Sequence, residues 1–200
     1  MVSIQNQTLS KLKKYLTIAG ANEIARRYFL LNGFDGTLTT LGVIIGAYIA
    51  GGIDAKIILS AGFGASIAMG ISGAWGAFLA ERAERVRGMR ELEQAMFTEL
   101  KNSIIDRASK VAILWVAVVD ALSPILTAFI TLLPFVFSFY EMIPISSAFI
   151  AAIALNMATL FALGLFLSRI SKSNMLLQGA LMVMTGVITL FFLLILGLAF

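Results

Sequence analysis

Five long apolar segments dominate this sequence and limit what it can fold into. They cover about residues 28–53, 57–80, 111–139, 144–167 and 176–200. Each has about 20 residues or more, enough for a helix to cross a hydrocarbon core about 30 Å thick. Lipid admits only helices or closed barrels, and no alternation of apolar and polar residues indicates strands. The sequence therefore predicts an all-α polytopic membrane protein with five transmembrane helices.

The composition agrees with this class. Of the 200 residues, 60% are hydrophobic and 13% are charged, whereas soluble domains average about 45–50% and about 25%. We expect a single transmembrane domain over residues 1–200, with cytoplasmic segments at 1–24 and 81–110. The second of these segments is predicted to form an amphipathic helix between transmembrane helices 2 and 3. The polar opening is not typical of a cleavable signal peptide.

The sequence contains no Cys and no His. Thiolate and imidazole metal sites, disulfides and nucleophile systems built on His or Cys are therefore excluded. No phosphate-binding loop is recognisable either, so we expect neither an enzyme nor a resident cofactor. A metal ion would have to bind to carboxylates, carbonyls, amides, hydroxyls, water or Met thioethers.

Basic residues are distributed unevenly along the chain. Lys and Arg gather before the first apolar segment, between the second and third, and between the fourth and fifth. The opposite side carries only Asp54, Lys56 and Glu141. The positive-inside rule predicts a cytoplasmic N-terminus and a C-terminus on the other side. We expect the membrane to be a prokaryotic cell membrane or an organelle membrane. Because these cations flank apolar segments, their expected partners are lipid head groups, and the net charge of +4 does not indicate nucleic acid.

A short amphipathic helix is predicted before the first span. Leu9, Leu12, Leu16 and Ala19 recur at helical spacing, with three lysines between them. This pattern favours a helix over residues 10–19 that lies on an anionic membrane surface.

Asp35 interrupts the first apolar segment and is the strongest candidate for a functional residue. It comes about 12 Å along a helix from Arg27, which places it near the middle of the hydrocarbon. A carboxylate at this depth costs about 3 kcal/mol or more, so such residues usually face an ion path or a partner. Asn32 and Thr37 offer neutral oxygens beside it. We expect a site that exchanges a proton for a cation; the alternative is an Asp that caps or packs a helix near the interface.

Other polar or soft side chains lie within the predicted spans. Asp120 is the best of these, because it is ionisable and comes one turn before Pro124. Met69 in the second span offers a thioether suited to a transition metal, although a lone Met is more often a packing residue.

The segment between the second and third spans carries an acidic stripe if it is one helix. At about 100° per residue, five carboxylates share a face about 80° wide; these are Glu81, Glu84, Glu91, Glu99 and Asp106. A stripe of this kind would suit hard divalent cations. The alternative is an ordinary solvated helix, with Glu81–Arg85 and Glu84–Arg87 as ion pairs. Gly88 is a possible break in this helix.

Small residues form ridges in the first two spans. One ridge contains Gly42, Gly46 and Ala50, and the other contains Gly62, Ser66, Gly70 and Ala74. Such ridges allow close helix packing in lipid. They are compatible with packing inside one chain and with dimerisation.

Three motifs occur in a fixed order. They are Gly33-Phe34-Asp35-Gly36, Ala68-Met69-Gly70-Ile71-Ser72-Gly73, and a stretch from Leu122-Ser123-Pro124 to Leu132-Leu133-Pro134-Phe135. With five spans and a charged segment after the second, the chain resembles the vacuolar iron transporter family. The segment of about 30 residues is shorter than the multi-helix segment of that family, and Thr37 stands where Leu is commoner.

The resemblance implies a homodimeric five-helix carrier that exports Fe²⁺ or Mn²⁺ from the cytosol against protons. It also implies that Asp35 and Met69 line the path at the dimer interface. Glu81, Glu84, Glu91 and Glu99 would belong to a cytoplasmic region that collects the metal. The competing hypothesis is a non-transporting membrane protein whose cytoplasmic amphipathic helix binds a partner or a lipid surface.

Overall fold

The computed structural model describes residues 2–51 and 54–198, with side chains from Ser10 onward. Six helices occupy these residues: α1 (Val2–Ile18), α2 (Ala21–Ile49), α3 (Ala55–Met96), α4 (Ile104–Phe139), α5 (Ile145–Ser171) and α6 (Met175–Leu198). The last five are long and apolar enough to cross a membrane. No strand occurs in the described ranges. The predicted all-α class and the five helices of spanning length are confirmed.

Several helices extend beyond the apolar segments that predicted them. Helix α2 begins at Ala21 and so includes the two arginines that precede the first apolar segment. Helix α4 runs through both Pro124 and Pro134. The predicted ends of the first and fifth spans, Ile53 and Phe200, lie outside the described residues.

The prediction of a separate amphipathic helix after the second span is wrong, because the second spanning helix and the segment after it form one helix, α3. It continues without interruption from Ala55 to Met96, and Gly88 does not break it. The polar part of α3 is rich in Glu, Arg, Ala, Leu and Met, which are all good helix formers. The helix therefore does not end where the apolar stretch ends.

The turn between α3 and α4 spans residues 97–103 and is held by side chains. Phe97 and Asn102 have left-handed backbones, with φ of 52° and 63°. Glu93 Oε1 accepts a hydrogen bond from the backbone N–H of Leu100 at 2.9 Å. Ser103 Oγ accepts one from the backbone N–H of Asp106 at 3.2 Å, which caps the start of α4. Glu99 and Asp106 therefore do not continue the helical face of α3, and the predicted five-residue stripe is wrong beyond Met96.

Helix α1 contains the predicted segment 10–19, except for its last residue. A turn at Gly20, with φ of +60°, connects it to α2. Leu16 is buried against Ala21 and Ala112. At least this leucine packs on protein rather than on a membrane surface.

The described residues divide into two compact units. One comprises those of Met1–Phe29 and Ile71–Ala121, and the other comprises those of Leu30–Gly70 and Leu122–Phe200. In the first unit, Ala25, Ala77 and Val116 form a buried cluster. The second unit has a larger apolar core with an edge-to-face pair of Phe135 and Phe149, whose ring centroids are 5.0 Å apart.

Candidate functional site

Asp35 is the central residue of α2, and its side chain is exposed on the surface of the chain. No hydrogen bond or ion pair joins it to any of the described side chains. The chain itself therefore does not bury this carboxylate. Asn32, one turn earlier, is half-buried and has a partner within the chain. Met69 on α3 is also half-buried.

The glycines beside Asp35 allow α2 to approach α4 closely within the second unit. A methyl group added to Gly36 would lie 2.7 Å from Pro124 Cα, and one added to Gly33 would lie 2.8 Å from Ser123 Oγ. The segment of α4 that approaches these two glycines contains Ser123, Pro124 and Thr127. Asp35 lies between them in sequence and points elsewhere.

Thr37 faces the interior of the second unit, whereas Asp35 is exposed, so the two side chains do not form one site. It is fully buried, and its hydroxyl donates to the carbonyl oxygen of Gly33 at 2.7 Å. The Thr37 carbonyl oxygen accepts a hydrogen bond from Asn156 Nδ2 on α5 at 3.0 Å. Asn156 Oδ1 is buried and has no hydrogen-bond partner in the described part of the chain. These two residues form a buried polar contact between helices.

The predicted acidic residues separate into different environments. Glu81 is buried, with 7% of its surface exposed, whereas Glu84 and Glu91 are exposed. Glu99 is exposed in the turn after α3. In residues 2–51 and 54–198, no three acidic side chains gather into a group that could hold a metal ion.

Two of the predicted residues line one cavity in the first unit. Glu81 and Glu84 meet there with Arg27, Met89 and Ser109, in a space of about 500 Å³. Glu81 pairs with Arg85 at 3.4 Å. Glu84 pairs with Arg87 at 3.3 Å on the solvent side. Both predicted ion pairs are confirmed. The cavity therefore combines two carboxylates, a thioether and a hydroxyl with strongly basic surroundings.

Arg85 stabilises Glu81 in its buried position. Its Nη2 donates to the carbonyl oxygen of Ala19 at 3.3 Å, which ties α3 to the end of α1. Arg85 Nε is buried without a hydrogen-bond partner among the described atoms, although Glu81 Oε2 lies 3.4 Å away. Because a buried guanidinium needs a counter-charge, Glu81 has a structural role whatever else it does.

Asp120 on α4 is buried, with 2% of its surface exposed, and it interacts with the rest of the chain. Tyr28 on α2 lies within electrostatic range of both Asp120 and Glu81. Tyr28 also packs against the cluster of Ala25, Ala77 and Val116. The second ionisable residue of the spans is thus enclosed by protein, unlike Asp35.

Sequence reasoning missed the roles of Glu93, Ser103 and Met89. Glu93 was outside the acidic stripe, yet its carboxylate holds the turn after α3. The pair Ser103 and Asp106 has the spacing of a capping box, which indicates a helix start at this point. That signal would have divided the predicted helix correctly. Nothing in the sequence distinguishes Met89 from a packing residue.

These observations define the class as an all-α protein with five helices of membrane-spanning length and one exposed carboxylate at the centre of the first. The chain belongs to the same family as the uncharacterized protein MJ0645 of Methanocaldococcus jannaschii. The two are 33% identical over 164 residues, which cover 80% of this chain and 82% of the relative. No family model matches the chain, and no solved structure matches it significantly.

Proposed function

We propose that this protein is a homodimeric transmembrane exporter of divalent transition-metal ions, Fe²⁺ or Mn²⁺, which it exchanges for protons. The observation that carries the proposal is Asp35, a carboxylate at the centre of a helix of spanning length and exposed on the chain surface. The resemblance of the motifs around Asp35 and Met69 to vacuolar iron transporters supports the same function.

The exposure of Asp35 indicates that something other than this chain must cover it. Facing acyl chains, the ionised side chain would cost about 3 kcal/mol or more. Asp35 has no partner among the described side chains that would offset this cost. An isolated subunit in lipid is therefore unfavourable. A second subunit on the same face would remove the carboxylate from lipid.

The face of α2 that carries Asp35 is suited to a second copy. On a helix, Gly42 and Gly46 lie within about 20° of Asp35. A methyl group added to either glycine would meet nothing within 4 Å. By contrast, Gly62 of the other small-residue ridge packs against Leu132 within the chain. Small residues that are open to the outside allow two helices to approach closely in lipid, so we place the α2 helices of two subunits against each other.

Such a dimer brings two copies of Asp35 to one site. Two carboxylates match the charge of one divalent cation. When the cation leaves, protons would take its place on the two carboxylates. This alternation provides a physical basis for exchanging a metal ion for protons. Met69 would add a soft ligand that favours transition metals over Ca²⁺ and Mg²⁺.

Metal ions would enter through the cavity that contains Glu81 and Glu84. The direction of transport follows from the positive-inside rule, which assigns the basic segments near this cavity to the cytosol. The ion pairs of both glutamates would have to open or rearrange as a cation approaches. Glu91 and Glu99 would then contribute only general negative charge around the entrance.

Transport into proteoliposomes tests the proposal. Purified protein should move Mn²⁺ or Fe²⁺ at a rate that an imposed pH gradient changes, and Asp35→Asn should abolish this movement. The matched control is Asp54→Asn, since Asp54 directly precedes α3 and its Oδ1 accepts the backbone N–H of Lys56. If Asp35→Asn transports at the rate of the unmodified protein, the proposed mechanism is wrong.

A further inference from the structure

A second, larger groove lies in the first unit, between the polar half of α3 and the first turns of α4. Its volume is about 780 Å³. Five cations line it, namely Arg82, Arg85, Arg90, Lys101 and Lys110, together with the two carboxylates of Glu93 and Asp106. It shares Arg85, Met89 and Ser109 with the cavity of Glu81 and Glu84, and the proposed transport function does not use its other residues.

Internal pairing leaves an excess of positive charge in the groove. Arg85 pairs with Glu81 at 3.4 Å, and Lys110 pairs with Asp106 at 2.9 Å. The Glu93 carboxylate accepts the backbone N–H of Leu100. The remaining cations, Arg82, Arg90 and Lys101, form no ion pair with any side chain that the structure describes. An anionic occupant would complement them.

Apolar side chains also line the groove, and both helices contribute them. They are Phe78, Val86, Met89, Ile113 and Leu114. Two of them are exposed, Leu114 to 60% and Val86 to 43%. A small soluble anion would leave these side chains uncovered. An occupant with both an anionic and an apolar part matches both kinds of lining residue.

Each of the two tryptophans of the chain is linked to one groove residue. Trp75 stacks on Phe78, with ring centroids 5.7 Å apart, and Trp115 follows Leu114 in the sequence of α4. Both indole side chains are exposed. Exposed Trp residues on spanning helices concentrate at the level of lipid head groups. We therefore expect the end of the groove at Phe78 and Leu114 to lie at the level of the lipid head groups. The basic residues of the groove then lie farther from the centre of the membrane.

We infer that this groove binds an anionic phospholipid. Its phosphate head group would lie against Arg82, Arg90 and Lys101, and an acyl chain would cover Phe78 and Leu114. Basic pockets between spanning helices on the cytoplasmic side commonly take such head groups. The positive-inside rule assigns the groove to that side, where anionic lipids are abundant.

Native mass spectrometry of the full-length protein in detergent, without added metal, tests this inference. The probes are phosphatidylglycerol and phosphatidylcholine, and we expect retention of the first only. Because each cation beside an anionic lipid raises affinity about fivefold, Lys101→Gln should weaken binding about fivefold. The triple variant Arg82→Gln, Arg90→Gln, Lys101→Gln should weaken it about a hundredfold.

The control variant removes the same charge elsewhere. Lys11→Gln, Lys13→Gln, Lys14→Gln changes only the basic face of α1 and should keep the affinity of the unmodified protein. An equal loss in both triple variants would show diffuse attraction and overturn the assignment. Complete displacement of the lipid by millimolar inorganic phosphate would also overturn it, because the groove would then be a site for a soluble anion. Lys101 lies in a turn and is exposed, so its single variant separates loss of binding from loss of folding.

Discussion

Asn156 on α5 donates a hydrogen bond from its side-chain nitrogen to the Thr37 carbonyl oxygen on α2 at 3.0 Å, and both residues are fully buried. This contact joins two helices of the second unit directly after Gly36 and one turn after Gly33. The Thr37 hydroxyl donates to the Gly33 carbonyl oxygen of the same helix. The contact between Asn156 and the Thr37 carbonyl therefore holds α2 in one rotational position. That position leaves Asp35 on the outer face.

We expect Asn156→Ala to lower the free energy of unfolding by about 1–2 kcal/mol, through the lost hydrogen bond and the space left behind. The loss is limited because Asn156 Oδ1 has no partner in the described structure. Thermal unfolding in detergent measures it. The control is Asn22→Ala, which removes an exposed amide from the same protein. Equal stability of the two variants would contradict a role for Asn156 in packing.

The close contact of Gly36 with Pro124 predicts a steric effect. A Cβ at Gly36 would lie 2.7 Å from Pro124 Cα and 2.8 Å from Thr127 Oγ1, and a backbone atom cannot move aside cheaply. Gly36→Ala should therefore destabilise the protein by about 1–3 kcal/mol. Gly88→Ala serves as the control, because its Cβ would meet nothing within 4 Å. That control should be neutral or more stable by up to about 1 kcal/mol. Unfolding midpoints of the two variants in one detergent give the comparison.

Glu81 and Glu84 line the same cavity but should differ in their effect on stability. The Glu81–Arg85 pair is largely buried, with side-chain exposures of 9% and 14%, whereas Glu84 and Arg87 are each 69% exposed. Glu81→Ala leaves a buried guanidinium without its counter-charge and should cost about 2–4 kcal/mol. Glu84→Ala should cost about 0.5 kcal/mol or less. Chemical denaturation measures both costs. Mn²⁺ uptake should fall in both variants if the cavity is the entrance, and a stable Glu84→Ala protein with normal uptake would exclude Glu84 from the path.

The proposed dimer can be tested by cross-linking, because the chain contains no native Cys. Gly46→Cys places one thiol on the outer face of α2, and oxidation should give a covalent dimer where the two helices approach closely. Ile150→Cys, on a position of α5 that is 73% exposed, should remain monomeric on denaturing gels. Cross-linking at Ile150 alone, or equally at both positions, would remove the support for pairing through α2.

Several features could be predicted from single residues and their spacing. The five spanning helices follow from the hydropathy of each segment. The free energy of transferring a segment into lipid is roughly the sum of the contributions of its own side chains. The Glu81–Arg85 and Glu84–Arg87 pairs follow from helical spacing. The turn at residues 97–103 was missed, although Ser103 and Asp106 carry a capping signal. Its position decides that Glu99 and Asp106 leave the face of α3, and it depends on the contact between Glu93 and Leu100.

The sequence alone determined that the chain builds helices for a membrane and that one of them carries a carboxylate at its centre. Only the tertiary structure decided that Asp35 turns outward, that Gly62 packs inside while Gly42 and Gly46 stay open, and that Asn156 bonds to Thr37, 119 residues away. The physical reason is that lipid is about as apolar as a helix bundle interior, so hydropathy gives little contrast between the two faces of a spanning helix. Which face turns inward depends on the shapes and hydrogen-bonding groups of the neighbouring helices.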